Sequence, residues 1–205
     1  MSADPARVIP ADLGLRLEGV HDDLIEPGVI RGPAGEVPLR FAAVLGLLLE
    51  GPEHADDPAL LLIERSSELR QHAGQIAFPG GKPEPSDRDL LDTALREAEE
   101  EVGLPRELVA ILGRLRPVPT PTGFMIVPYI GRITTDWQPS RVSPEVGRIL
   151  TPSLRTLMDP AIYRKTGSVE WQGQHYDLHE YRISDPPLWG ATARMVWDLL
   201  ERIRA

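Results

Sequence analysis

The chain reads as an α/β protein, a mixed β-sheet sandwiched between helices, and three observations predict this. Two long apolar stretches, residues 39–49 and 124–133, suit buried strands. Two other segments, one ending at Gly103 and one over 189–203, carry apolar stripes at helical spacing. Strand-like segments precede, separate and follow the two helical ones, an order that covers both faces of one sheet.

Each element has its own signal. Residues 1–36 are rich in Pro, Gly and Asp, and only 11–20, with Leu13, Leu15 and Leu17, has the pattern of a short element. Residues 1–35 are therefore expected to form a peripheral extension, able to cover substrate or serve dimerisation, and 36–205 the domain proper. The run 39–49 is followed by a Gly-Pro-rich loop at 51–58 and a second apolar run at 59–63, which favours two buried strands. Residues 75–78 form a further short strand entering Pro79-Gly80-Gly81. Gly103 and Pro105 end the first helix. Residues 108–115 and 124–133 read as strands around a proline-rich loop, and Ser143-Pro144-Glu145 opens a short helix, broken at Pro152 and resumed to Met158. Residues 161–183 read as a hairpin turning at 172–174, and the chain closes on a helix with Ala193, Val196, Trp197, Leu200 and Ile203 on one face.

Composition sets the outer limits. The 205 residues are 41% hydrophobic and 26% charged, an ordinary globular balance with room for a real core. The net charge of −9 argues against an electrostatic grip on nucleic acid or an anionic membrane. A phosphorylated small molecule stays allowed, because a bound divalent metal reverses the local field. There is no cysteine, hence neither a disulfide framework nor a thiolate zinc site or thiol nucleophile. No secretory pattern or membrane-length apolar run is seen, and the expected location is the cytoplasm.

The most informative stretch is the glycine turn, polar loop and helix from Gly80 to Leu104. Leu91, Ala94, Leu95, Ala98 and Val102 make one apolar stripe, and Glu97, Glu100 and Glu101 fall together in the arc beside it. Like charges at i,i+4 cost about a few tenths of a kcal/mol per pair, so helix stability does not ask for this arc. A hard cation such as Mg²⁺, taken by carboxylates together with substrate phosphates, does. The same glutamates are compatible with a plain solvated face, Arg96 and Glu100 being an ordinary i,i+4 pair.

The preceding loop makes the match specific. Gly81, Asp87 and Arg96-Glu97-Ala98-x-Glu100-Glu101-x-Gly103-Leu104 resemble the Nudix box, the loop–helix motif of Nudix hydrolases. The family pattern has a glutamate eight residues before the arginine; here that place is Arg88, with Asp87 one residue earlier. Upstream stand Arg65-Ser66, Arg70, Gly74 and Phe78-Pro79-Gly80-Gly81, similar to the segment that marks the coenzyme A pyrophosphatase branch, with Ile63 where that branch tends to have threonine. Thr120 to Phe124 and Trp189 to Arg194 are further echoes.

The resemblance implies the Nudix fold and a metal-dependent pyrophosphohydrolase. It implies Glu97, Glu100 and Glu101 as ligands of Mg²⁺ or Mn²⁺, and Glu97, Arg96 and Glu100 as the catalytic set. The substrate it implies is coenzyme A or an acyl derivative, cleaved to 3′,5′-ADP and 4′-phosphopantetheine or its acyl form. Arg65 and Arg70 are candidates for the phosphates because a guanidinium forks onto phosphate oxygens. Gly80 and Gly81 let the backbone approach metal or phosphate. Glu145 is an outside candidate for the general base, and His72 reads more simply as a surface residue. The alternatives are a Nudix hydrolase of ADP-ribose, a dinucleotide or an oxidised nucleotide, or a Nudix-fold sensor that binds without cleaving.

Overall fold

A computed structural model of the chain describes residues 8–19, 29–32, 35–171 and 174–205. The strands, in order, are β1 (Val29–Gly32), β2 (Gly35–Pro38), β3 (Arg40–Leu49), β4 (Ala59–Leu60), β5 (Leu62–Arg65), β6 (Ile76–Ala77), β7 (Gly80–Gly81), β8 (Ala110–Arg114), β9 (Val118–Pro119), β10 (Phe124–Ile133), β11 (Val146–Leu150), β12 (Tyr163–Trp171), β13 (Gln174–Tyr181) and β14 (Leu188–Trp189). The α-helices are α1 (Leu13–Arg16), α2 (Leu90–Val102), α3 (Leu154–Met158) and α4 (Gly190–Arg204).

The central sheet runs β4-β3-β10-β8, with β7 on β3 and β9 on β10. β3 and β10 pair in parallel from Arg40–Phe124 to Leu49–Ile133, and the other pairs are antiparallel, so the sheet is mixed as expected. Alternation along β3 divides the core. Ala43, Leu45, Leu47 and Leu49 pack with Ala94, Ala98 and Val102 of α2 on one face. Leu48 packs on the other face with Ala193, Val196, Leu199, Leu200 and Ile203 of α4. One helix on each face gives the α/β/α sandwich.

Two expectations change. Residues 143–145 do not open a helix. The Glu145 N–H donates to Ser143 Oγ at 3.1 Å, a local turn, and the chain then enters β11. β11 pairs with the edge of β5, so the sheet's unpaired backbone groups decide this segment against its local signal. Only the later part, α3, is helical, capped by the Ser153 side chain on the Thr156 N–H. The extension is also not peripheral throughout, because Ile9 and Leu13 are buried in the α4-side core. Arg16 Nη1 on α1 donates to the Arg202 carbonyl of α4 at 3.1 Å, fastening the segment there. The expected hairpin is β12–β13, while residues 172–173 of its turn lie outside the described residues. Among the described residues, no helix is long and apolar enough to cross a membrane.

Candidate functional site

The site starts where β7 meets α2. Gly80 has φ +152°, and a Cβ there would collide with the backbone of Ala43 and Val44, so β7 can lie on β3 only without a side chain. At Gly81 the reason is different: a Cβ would run into the Glu97 carboxylate. The two glycines thus bring backbone against the acidic face of the helix.

α2 is fixed at both ends. Asp89 caps it, accepting from the Asp92 N–H at 2.7 Å, and Gly103, left-handed at φ 68°, ends it. Between them the site glutamates occupy three environments. Glu101 is buried, at 4% exposure, and its Oε2 accepts from the Gly80 N–H at 3.0 Å. Burial, reinforced by nearby Glu97 and Glu145, pushes its carboxyl up to about 8 against the pull of the Gly80 N–H and Arg65. Glu97 is half-buried, and burial raises it too, opposed by Arg96. Glu100 is exposed and turned to Arg96 Nη1 at 3.2 Å.

Arg96 organises this face. It donates to Asp87 through Nε at 2.8 Å and Nη2 at 3.1 Å, to Glu97 at 3.2 Å, to Glu100, and to the Lys82 carbonyl at 3.1 Å. Asp87 is the buried anchor, its side chain only 4% exposed, and it also accepts from Thr93 Oγ1 at 2.8 Å and the Glu84 N–H at 2.9 Å. The Arg96 guanidinium and these donors hold the Asp87 carboxyl far below the usual carboxylate range despite its burial. The loop with one extra residue therefore still delivers a carboxylate to Arg96, from Asp87. Arg88, in the place of the family's glutamate, points out and pairs with Asp92 at 2.9 Å. No local sequence signal marks Thr93, because its hydroxyl is an i,i+6 partner of Asp87, a relation no helical periodicity displays.

The second motif arrives from β5. Arg65 Nη2 approaches Glu145 Oε2 at 3.5 Å, and its buried Nε has no partner. Arg65 and Glu145 both act electrostatically on Glu101, so residues 65, 97, 101 and 145 share one locality. The Ser66 N–H donates to the Glu145 carbonyl at 2.7 Å, which holds the two loops together. Arg70 is exposed on the loop that follows β5 and has no ionic partner among the described residues. His72, at φ 58°, lies within 2.8 Å of Gln75 Oε1 and is a turn residue.

The donors suit a hard divalent cation in kind: three carboxylates, one of them buried with a single N–H for company. A cation at that oxygen would offset a burial penalty that the Gly80 N–H and the field of Arg65 only partly counter. Among the described residues no three acidic or imidazole side chains are already gathered into one coordination shell, and Arg96 pairs with both Glu97 and Glu100.

The NUDIX domain family model matches residues 39–154, more than half of the chain. This chain belongs to the Nudix family. It is 35% identical over 165 residues to the uncharacterized Nudix hydrolase NudL of Photorhabdus laumondii, covering 80% of this chain and 86% of that protein. The NudL of Yersinia pestis is 34% identical over 164 residues, 80% of each chain. Among solved structures, the Nudix hydrolase RenU of M. smegmatis superposes with a TM-score of 0.50 at 22% identity, over 64% of this chain and 83% of that one. The MutT protein of Methanosarcina mazei gives 0.50 at 21% identity, over 81% and 94%. These two likenesses support the fold. Family membership supports a pyrophosphohydrolase, a class that generally works with divalent metal.

Proposed function

We propose that this Nudix protein hydrolyses the diphosphate linkage of coenzyme A or its acyl derivatives, giving 3′,5′-ADP and (acyl-)4′-phosphopantetheine. The observation that carries the reading is the convergence of two sequence motifs on one spot. Arg65, from the segment that resembles the coenzyme A branch, acts on Glu101 and shares Glu145 with it, while Glu101 comes from the Nudix helix.

In this reading Glu97, Glu100 and Glu101 hold Mg²⁺ or Mn²⁺. When bound, such ions neutralise diphosphate oxygens and make an attacking water more acidic. The chain's own residues do the rest. Arg96, clamped by Asp87, fixes the rotamers of Glu97 and Glu100. Arg65 offers the exposed part of its guanidinium to the diphosphate oxygens, and Arg70 reaches the substrate's phosphates from its exposed loop. Gly81 brings bare backbone against the Glu97 carboxylate, Gly80 holds β7 on β3 with its N–H on Glu101, and together they line the approach of the linkage. Glu97, raised by burial, takes the proton of the water; Glu145, in the same locality, is the alternative base. The cytoplasmic location expected from the sequence goes with this reading, and a homodimer is compatible with it.

The test is a product assay. Coenzyme A, ADP-ribose, NADH and an oxidised deoxynucleotide are incubated with Mg²⁺ or Mn²⁺, with a chelator control, and products are identified by mass. Release of 3′,5′-ADP and phosphopantetheine, fastest for coenzyme A and abolished by chelator, is the expected result. Faster cleavage of any other substrate overturns the assignment, and binding without cleavage moves the protein to the sensor class.

A further inference from the structure

At the start of β3 and β10, two cations face one aromatic ring. Arg40 Cζ lies 4.1 Å from the centroid of the Phe124 ring, and Lys82 Nζ 5.5 Å from it. The topology fixes the group. Arg40 and Phe124 are register partners on the parallel pair, and Lys82 follows Gly81, which is paired to β3 at Ala43. The Thr120–Phe124 turn is closed by the Phe124 N–H to Thr120 Oγ1 at 3.0 Å, and Arg40 Nη2 donates to the Thr122 carbonyl at 2.8 Å.

Neither cation has an acidic partner among the described residues, although the chain has 31 acidic side chains to 22 basic ones. Two like charges over one ring repel each other, and the ring's attraction for each is weak at an exposed position. An anion bound by both cations offsets that repulsion. The place of the group selects the anion: the Lys82 carbonyl accepts from Arg96, so this subsite adjoins the acidic one. A phosphomonoester, with a charge near −2 and three acceptor oxygens, matches two cations better than a carboxylate does.

We propose that Arg40 and Lys82, set against Phe124, form the subsite that reads a phosphomonoester on the substrate away from the cleaved linkage. The proposal rests on the function proposed above, where that group is the 3′-phosphate of the adenosine half, and it separates this role from Arg65, which faces the linkage itself.

Binding decides it without turnover. Wild-type protein is expected to bind adenosine 3′,5′-bisphosphate about tenfold more tightly than adenosine 5′-phosphate in titration calorimetry, the value of one charge-assisted contact. Arg40→Gln and Lys82→Gln should each remove most of that preference, and Arg88→Gln, at an exposed position outside the site, should keep it, with all variants checked for wild-type circular dichroism. Lys82 is exposed, so its variant reads the subsite even if Arg40→Gln fails to fold. In turnover, the kcat/KM ratio of coenzyme A to its 3′-dephospho form should fall about tenfold in the same two variants. No preference in the wild type, a preference kept by Lys82→Gln, or one lost equally in Arg88→Gln overturns the subsite. If the wild type cleaves neither coenzyme A form, the parent function fails while the nucleotide titration still decides the subsite.

Discussion

Glu101 and His179 are both buried ionisable side chains, at 4% and 3% exposure, and burial drives each towards its neutral form. It lifts Glu101 to about 8 and lowers His179 to about 4. Their surroundings differ. His179 stacks between Trp197, at 4.8 Å between ring centroids, and Tyr163, whose hydroxyl lies 3.1 Å from Nδ1. Arg194 adds to the burial effect and Asp177 opposes it, so the imidazole is held neutral, with its buried Nε2 left without a hydrogen-bond partner. Glu101 instead lies beside Glu97 and Glu145, with one backbone N–H and the field of Arg65 as its support. The same physical penalty falls on an imidazole among aromatic rings at one end and on a carboxyl among carboxylates at the other. A burial penalty among carboxylates is what a cation site has before the cation binds.

The sharpest way to break this comparison is Glu101→Gln. Even outer-shell partners of metal ligands are worth about 10–100-fold, so loss of a direct ligand should cost on the order of a hundredfold or more in kcat/KM. In chelator the variant should be no less stable than wild type at pH 8. The sign follows from the raised value: folded wild type holds its proton up to about 8 while the unfolded chain releases it near 4.5, so stability drains away between the two. Near-wild-type turnover, or a marked drop in Tm without metal, would falsify the assignment.

Asp87→Ala comes next. It leaves Arg96 with Glu97 and Glu100 but without its buried anchor, and activity should fall about 10–100-fold, as for other groups that act by orienting ligands. The readout is kcat/KM across a Mn²⁺ titration, where the midpoint should move to higher metal; an unchanged midpoint refutes the anchor role. Urea unfolding tests the other end. His179 is neutral when folded down to about pH 4 and charges near 6.5 when unfolded, so stability should fall by at most about 3 kcal/mol as pH drops through that window. His179→Phe should flatten the slope, and an equal slope in the variant would show that other groups produce it. The smallest effect is expected for Arg88→Ala: its side chain is 78% exposed, and neither Tm nor turnover should move measurably.

Much of this molecule was legible residue by residue. The apolar run over 39–49 became β3, the stripe over 91–102 became α2, and Gly103 ended it, because strand and helix periodicities and a left-handed cap are local properties of the chain. The three glutamates and Arg96 were legible too, since i,i+1 and i,i+4 spacing alone puts them in one arc. Residues 143–150 were misread because their local turn signal was genuine, and the free edge of β5 outweighed what followed it. The burial of Ile9 and Leu13 was likewise hidden, since only the docked α4 gives them a surface to cover.

The sequence by itself determined the fold class and the acid-bearing helix, because both follow from spacings of a few residues. Tertiary structure alone decided that Asp87 replaces the missing loop glutamate as the partner of Arg96, and that Arg65 comes to Glu101. It also set Arg40 and Lys82 over one ring. Those pairings join residues on separate elements, and a contact across separate elements exists only once the sheet has set its register and burial has fixed which charges meet.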